Sequence, residues 1–439
     1  MKTRRLVIRL RALLRGWLAV TAVVATLWPG AAPGQELRVL TSMPKSLFEP
    51  FARAFEAANP GISVLVLNKN TNAGVEEIVR GNPRGFDIFW VSAPEAFAVL
   101  NAHGAFRGSR EGTGEAWRPT PRGGAAFYPF ALSSIGWAQR RSSYLPRPVE
   151  WDDLLRPVYA GKIAMTRPSR SGTTHMFVER FLQVRGWEGG WAWLLALSGN
   201  LTTLTSRSFG VVDGVEKGRF EIGITIDFLA LSRAEKGLSF RYGRPVMVMP
   251  AQIGILKGGA APDQAARFVR FVLSPQGQRL LLRPEIRRVP ILAELRAPAG
   301  DPAFAEIENA LRLSWQPYDA LLARDRYWAV NALFDVFITF QLSERQQAWR
   351  RLRALRGLER PGLAARLAEV ERLLVAMPVA EAEAIAPGLN AVPTRITAFS
   401  APTPAQREAL ERWSAAAAEL LARAGAILDE LEREAGGAR

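Results

Sequence analysis

The chain has 439 residues, 48% hydrophobic and 22% charged, which supplies a large core and two domains or one bilobal unit and excludes a disordered chain. Its formal charge of +16 favours anionic partners, but Lys2, Arg4, Arg5, Arg9, Arg11 and Arg15 crowd the first positions, and the remaining basic residues exceed the 41 acidic ones by only ten. They are spread along the chain with no basic block of interleaved aromatics, so nucleic acid is not an expected partner; the lack of cysteine excludes disulfides, thiolate metal sites and a lipoprotein attachment site.

The first segment, "MKTRRLVIRLRALLRGW", is basic; the apolar "LAVTAVVATLW" follows, and then the small residues and prolines of "PGAAPGQ". This is the order of an export signal, and residues 1–34 are read as a signal peptide cleaved near Gly34. The alternative, an uncleaved anchor, suffers from an apolar run too short for a stable membrane span. "TRRLVIR" is also similar to a twin-arginine signal. Export by this route places the mature protein in the periplasm.

From Glu36 the pattern changes. "ELRVLTSMP" is a strand ending at Thr41 and Ser42, and "SLFEPFARAFEAANPG" carries Leu47, Phe51 and Phe55 at helical spacing before a Pro-Gly stop. "ISVLVLNKNT" and "GVEEIVRG" repeat the strand and helix, as do "FDIFWVSAP" and "EAFAVLNAHG". Such alternation predicts a parallel sheet with helices on both faces, and ligands bind beyond the carboxyl ends of such strands. Those ends are polar: Thr41 and Ser42, then Lys69, Asn70 and Thr71, then Trp90 and Ser92.

A second series runs from "FALSSIGWAQ" to "RFEIGITIDFLALSRA" and contains "GKIAMTRPSRSGTTHMFVERFL". Pro168 ends a strand there, and Ser169, Arg170, Ser171, Gly172, Thr173 and Thr174 bridge to a helix. A helix start presents unpaired amides and the positive end of its dipole to an anion. Gly172 permits close approach of a ligand, and Arg170 offers a bidentate fork to phosphate or carboxylate. The plainer reading is ordinary capping by Ser171 or Thr173, with Arg170 in solvent.

The chain returns through "RPVMVMPAQIGILKG", which pairs with "FALSSIGWA" as a two-strand hinge, and "PDQAARFVRFVLSPQGQRLLL" predicts an amphipathic helix with Ala266, Val269 and Leu273 on one face. Beyond about Gly300 the pattern is helical. "YDALLARDRYWAVNALFDVFITF" predicts one long helix, and "SERQQAWRRLRALRG" with "PGLAARLAEVERLLVAM" a helical pair. The last helix opens with Thr403, Pro404 and Gln406 in capping-box register, and its stripe of Leu410, Trp413, Ala417, Leu420, Ala424, Leu428 and Leu431 either covers the second lobe or docks a partner.

The order "LTSMP", "LNKNT", "FDIFWVSAP", "PSRSGTTH", "TSRSFGVVDGV", "GITIDF" and "FVLSPQGQRLLL" resembles the type II periplasmic binding proteins of ABC importers. Within them it resembles the branch that holds ferric-ion, aminoethylphosphonate, hexose-phosphate and phosphoglycerate binding proteins, and is most similar to the phosphoglycerate type. The resemblance covers about residues 36–340 and implies a bilobal α/β fold, to which the two-strand hinge and the C-terminal helical extension are added from the residues themselves. The expected lobes are residues 36–130 with 245–295 and residues 131–244, and residues 300–439 pack on them. It also implies a small phosphorylated or phosphonate ligand, no cofactor, and a membrane partner, either the permease of an importer or a sensor histidine kinase. Ferric relatives bind metal through adjacent tyrosines, which here are replaced by Asp227 and Phe228, and no two of the six tyrosines are adjacent. No metal is therefore expected.

The resemblance implies anion contacts from both lobes: Thr41, Ser42, Lys69 and Trp90 from the first, and Ser169 to Thr174, Arg207, Ser208 and Asp227 from the second. Each has a structural alternative: a solvated loop for Lys69, the core for Trp90, a surface charge for Arg207, and a helix cap or an Arg207 pair for Asp227. A hydrolase is the competing class, but "SRSGTTH" lacks the G-x-S-x-G elbow, no phosphate-binding loop motif occurs, and only two histidines are present.

Overall fold

The computed structural model describes residues 35–107, 127–296, 300–313, 318–390 and 402–436, so the expected signal peptide, residues 1–34, lies outside the described residues. The first lobe is built on strands β1 (Gln35–Thr41), β2 (Ile62–Asn68), β3 (Ile88–Val91) and β4 (Phe127–Ser133). The second holds β5 (Ile135–Arg140), β6 (Ile163–Thr166), β7 (Leu201–Thr205), β8 (Ile222–Ile226) and β9 (Leu238–Tyr242). The chain then returns to the first lobe as β10 (Met249–Ile255) and β11 (Val289–Pro290). The sheet orders are β11-β4-β10-β3-β1-β2 and β7-β6-β8-β5-β9.

Both sheets are mixed rather than parallel. β1 runs parallel to β2 and β3, and β6 to β7 and β8, as helical crossovers require. β10 and β5 each enter a sheet from the hinge side and run antiparallel to their neighbours. Only Ser134 separates β4 from β5, and residues 243–248 make the return crossing.

The helices of the lobes are α1 (Lys45–Ala58), α2 (Thr71–Val79), α3 (Pro94–Ala102), α4 (Gly172–Arg185), α5 (Trp187–Ser198), α6 (Ser208–Glu216) and α7 (Asp227–Leu231). The predicted amphipathic helix is two, α8 (Pro262–Leu273) and α9 (Pro275–Leu280), because Pro275 starts a new helix capped by the Ser274 hydroxyl. Its buried face is Ala265, Phe268, Val269 and Val272, one residue round from the expected one. α1 buries Leu47, Phe51 and Phe55, and the rings of Phe51 and Phe268 meet Trp90 edge-on at 5.3 and 5.7 Å.

The C-terminal part comprises α10 (Pro302–Leu313), α11 (Ala320–Asp325), α12 (Tyr327–Phe334), α13 (Leu342–Arg356), α14 (Ala364–Val375) and α15 (Pro404–Gly436). The expected long helix over 318–340 breaks at Arg326 and continues past α12 as a π-turn at Asp335–Thr339. The break lets Arg326, fully buried, reach the equally buried carboxylate of Glu179 on α4 at 2.6 Å. Thr403 and Gln406 exchange the two hydrogen bonds of a capping box at 3.0 and 3.2 Å. The α15 stripe is buried at Trp413, Ala417, Ala424, Leu428 and Leu431, with Leu410 and Leu420 only half-buried. Its last three buried residues pack on α13 and α14 rather than on the second lobe directly. α13 meets that lobe where Trp349 fills the space beside Gly199.

Candidate anion-binding cleft

The carboxyl ends of β1, β2 and β3 face those of β6, β7 and β8 across the hinge, and the segments that follow each strand line one narrow cleft. Three helices begin there. Asn70 caps α2 by accepting from the Ala73 amide at 2.9 Å, and Ser171 caps α4 by accepting from Thr174 at 3.3 Å. α6 starts after Arg207 with no side-chain cap. First-turn amides therefore point into the cleft from several directions. The hydroxyls of Ser171 and Ser208 lie 2.7 Å apart and tie the starts of α4 and α6 together. Thr71 donates to the Ser42 hydroxyl at 3.0 Å on the opposite wall.

Arg170 is exposed at the mouth of the cleft, and Arg207 bonds Asn68 of the first lobe and lies 5.1 Å from the Phe209 ring centroid. Burial pulls the Arg207 pKa down from its usual value. None of the lining residues is acidic, so the charge of the wall is wholly positive. The lobes are close together: Asn72 donates to the Ser169 carbonyl at 2.9 Å, and the remaining cavity is about 40 Å³. That is far below the ~300–1,000 Å³ of small-molecule pockets, so entry requires the lobes to part about the two-strand hinge.

Seven of the expected residues line this cleft: Ser42, Arg170, Ser171, Gly172, Thr173, Arg207 and Ser208. Thr174 lies just behind, its amide spent on the Ser171 cap. The others are placed elsewhere, each for a visible reason. Thr41 is buried and donates to the Trp90 carbonyl at 2.6 Å, locking β1 to β3. Lys69 pairs with buried Glu77 at 2.8 Å. Trp90 is in the aromatic core. Ser169 faces a different cavity, of about 710 Å³, between α2, α3 and the C-terminal helices.

Asp227 lies outside the lining as well. It is buried and accepts from the Ser134 amide at 2.8 Å, the Phe228 amide at 2.7 Å and the Tyr242 hydroxyl at 3.1 Å. Ser134 is one crossing between the lobes and Tyr242 begins the other, so Asp227 pins the hinge rather than facing the cleft. Burial raises its pKa to about 6, against those hydrogen bonds and the positive charge of Arg288.

Asn70, Thr71 and Ser92 line the cleft in place of Lys69 and Trp90, and Met43 and Phe228 join them. The signal was present in "LNKNT" and "FWVSAP": the side chains that cap the next helix face the cleft, whereas the last strand residue bonds or packs within its sheet. Arg288, buried beneath Ser92, had no such signal.

Two α/β lobes on a two-strand hinge, with strand ends and helix starts converging between them, are the architecture of a solute-binding protein. The chain belongs to the bacterial extracellular solute-binding protein family, whose model matches residues 37–283. It is 32% identical over 357 residues to the phosphoglycerate transport regulatory protein PgtC of Salmonella typhimurium, an alignment covering 79% of this chain and 87% of that protein. Among solved structures, the fructose-6-phosphate-bound periplasmic binding protein AfuA of Actinobacillus pleuropneumoniae matches with a TM-score of 0.60 and 18% identity over 69% of this chain and 98% of that one. Iron-bound HitA of Pseudomonas aeruginosa matches with a TM-score of 0.52 and 18% identity over 63% of this chain and 97% of that one. Among the described residues no helix is long and apolar enough to cross a membrane, and no group of three or more His, Asp or Glu is placed to hold a metal ion.

Proposed function

We propose that the protein binds a small organophosphate or phosphonate anion of the phosphoglycerate type in the periplasm, and either delivers it to an importer or reports it to a membrane sensor kinase. The observation that carries this reading is the joined start of α4 and α6, where the Ser171 and Ser208 hydroxyls meet between Arg170 and Arg207 in a wall without acidic groups. Amides at helix starts, hydroxyls and guanidinium groups are the donors a tetrahedral oxyanion requires. The 32% identity with a phosphoglycerate transport regulatory protein supports the same ligand class and a role in transport or its regulation. A ferric site would need anionic oxygen ligands, and the lining residues include no Tyr, Asp or Glu; a hydrolase would need a general base, and they include no His either. Solute capture without catalysis is the reading this lining favours.

The test is a thermal-shift panel of 3-phosphoglycerate, phosphoenolpyruvate, 2-aminoethylphosphonate, hexose phosphates and inorganic phosphate, with released phosphate assayed in parallel. Stabilisation by one or more organic phosphates or phosphonates without phosphate release is expected. Stabilisation by none of them would overturn the proposal.

A further inference from the structure

Arg288 is fully buried, yet among the described residues no carboxylate lies within ion-pair distance of it. Asp227, the acidic group that acts on it, already accepts from Ser134, Phe228 and Tyr242. The Arg288 Nε has no hydrogen-bond partner. Its Nη2 donates to the Ser92 hydroxyl at 3.0 Å and its Nη1 meets the Met43 sulfur at 3.8 Å, and both of these residues line the cleft. The guanidinium is sandwiched between Phe130 of its own lobe at 5.2 Å and Phe228 of the opposite lobe at 4.3 Å, and Phe228 also lines the cleft.

The backbone confirms that the position is unusual. Arg287, immediately before it, has φ +44, a left-handed conformation that non-glycine residues rarely adopt, and a two-point contact with Asp301 at 2.6 and 3.2 Å holds it there. Strain of this kind gathers at binding sites. A buried cation without a counterion is costly, and stacking between two rings offsets only part of that cost.

We propose that Arg288 is a further basic group of the cleft and binds a carboxylate of the ligand. The site then selects small acids charged at both ends, with the phosphate or phosphonate at the starts of α4 and α6 and the carboxylate on the guanidinium. This rests on the phosphate reading above and adds to it. When the lobes part, Phe228 leaves with the second lobe and uncovers the guanidinium beside Ser92. Its planar fork matches a carboxylate in two-point geometry, which a lysine ammonium does not reproduce.

The experiment compares 3-phosphoglycerate, which carries both charged groups, with glycerol 3-phosphate, which carries one, by calorimetry on the wild type, Arg288→Met and Arg288→Lys. The wild type should prefer 3-phosphoglycerate. Arg288→Met should weaken that compound by about thirtyfold or more, the cost of truncating a buried charge partner, leave glycerol 3-phosphate nearly unchanged, and keep or raise the melting temperature because an unpaired buried charge has gone. If Arg288→Met does not fold, Arg288→Lys carries the test through a reduced preference between the two compounds. Equal loss for both compounds, loss for neither, or a wild type that binds glycerol 3-phosphate as tightly as 3-phosphoglycerate would overturn the Arg288 assignment while the phosphate reading stands. A wild type that binds neither would also overturn the Arg288 assignment, and the phosphate reading falls with it only if no other member of the panel above binds.

Discussion

Gly172 at the start of α4 lies so close to Thr71 across the cleft that a β-carbon on it would sit 2.6 Å from the Thr71 hydroxyl and 2.8 Å from the Ala93 side chain. The two lobes touch through this glycine. Gly172→Ala should therefore act on closure more than on folding. Overpacking costs about 1–3 kcal/mol, and charged against the closed form alone it should weaken ligand binding by about five- to hundredfold. Calorimetry and solution scattering check this: a lower affinity with a more open ligand-free molecule is expected, and unchanged values for both would show that the lobes close without this contact.

Arg170 is exposed at the cleft mouth, so its contribution should resemble a single charge-assisted hydrogen bond rather than a buried ion pair. Arg170→Ala should weaken an organophosphate by about tenfold or more, following about 1.5–3 kcal/mol for such a bond. A folded variant of unaltered affinity would remove Arg170 from the site.

Asp227 holds both crossings of the hinge and is absent from the cleft lining. Asp227→Asn replaces one acceptor oxygen with a donor, which faces either the Ser134 amide and Tyr242 hydroxyl that share one oxygen or the Phe228 amide on the other. The melting temperature should fall by several degrees, on the order of 1–3 kcal/mol for a buried group left without its partner, while the order of preference among phosphate ligands stays the same. A reordered ligand panel would return Asp227 to the binding site.

Local features of the fold were legible in the sequence, and features set by distant segments were not. The alternation of strand and helix, the two series, the hinge strands and the capping box of α15 were all readable, because periodicity and caps are local properties. The turn at Arg170 to Thr173 was readable for the same reason, since a helix start announces its own free amides. Thr41, Lys69, Trp90 and Asp227 lie outside the cleft lining because their surroundings come from distant chain segments. Glu77 neutralises Lys69, Phe51 and Phe268 enclose Trp90, and Ser134 with Tyr242 occupies Asp227. Arg288 lies in "RRVP", beyond the matched binding-protein segments, and only the fold brings it beneath Ser92.

Glu95, buried at the start of α3, gives the stability a pH dependence. Burial raises its pKa to about 8 despite a hydrogen bond from Tyr318, whereas the unfolded chain releases that proton near 4.5. The folded state holds the extra proton, so stability should decline as the pH rises from 4.5 to 8, at up to about 1.4 kcal/mol per pH unit. Burial lowers His175 from 6.5 to about 3, so its contribution is lost only as the pH falls below 6.5. Denaturant unfolding between pH 6.5 and 8 should thus show a downward slope that Glu95→Gln flattens, and an equal slope in both proteins would contradict the assignment.

α13 and α14 cover Ala424, Leu428 and Leu431 of the α15 stripe, and Trp413 and Ala417 join the main core, which points to a structural role. Deleting residues 403–439 should expose Trp349, Leu352 and Leu374, lower the melting temperature by several degrees without any partner, and increase binding of a hydrophobic dye. A truncated protein of unchanged stability that loses transport or signalling would instead make the stripe a docking face.

The proposed oxyanion lies where the Ser171 and Ser208 hydroxyls join α4 to α6. Ser171→Asp tests it most directly, since aspartate caps a helix as well as serine does but places a negative charge where the ligand's phosphate would lie. Calorimetry with the best organophosphate of the panel should show binding weakened by about a hundredfold or more, the cost of like charges brought together, in a protein whose melting temperature is preserved. Wild-type affinity in that variant would contradict the account.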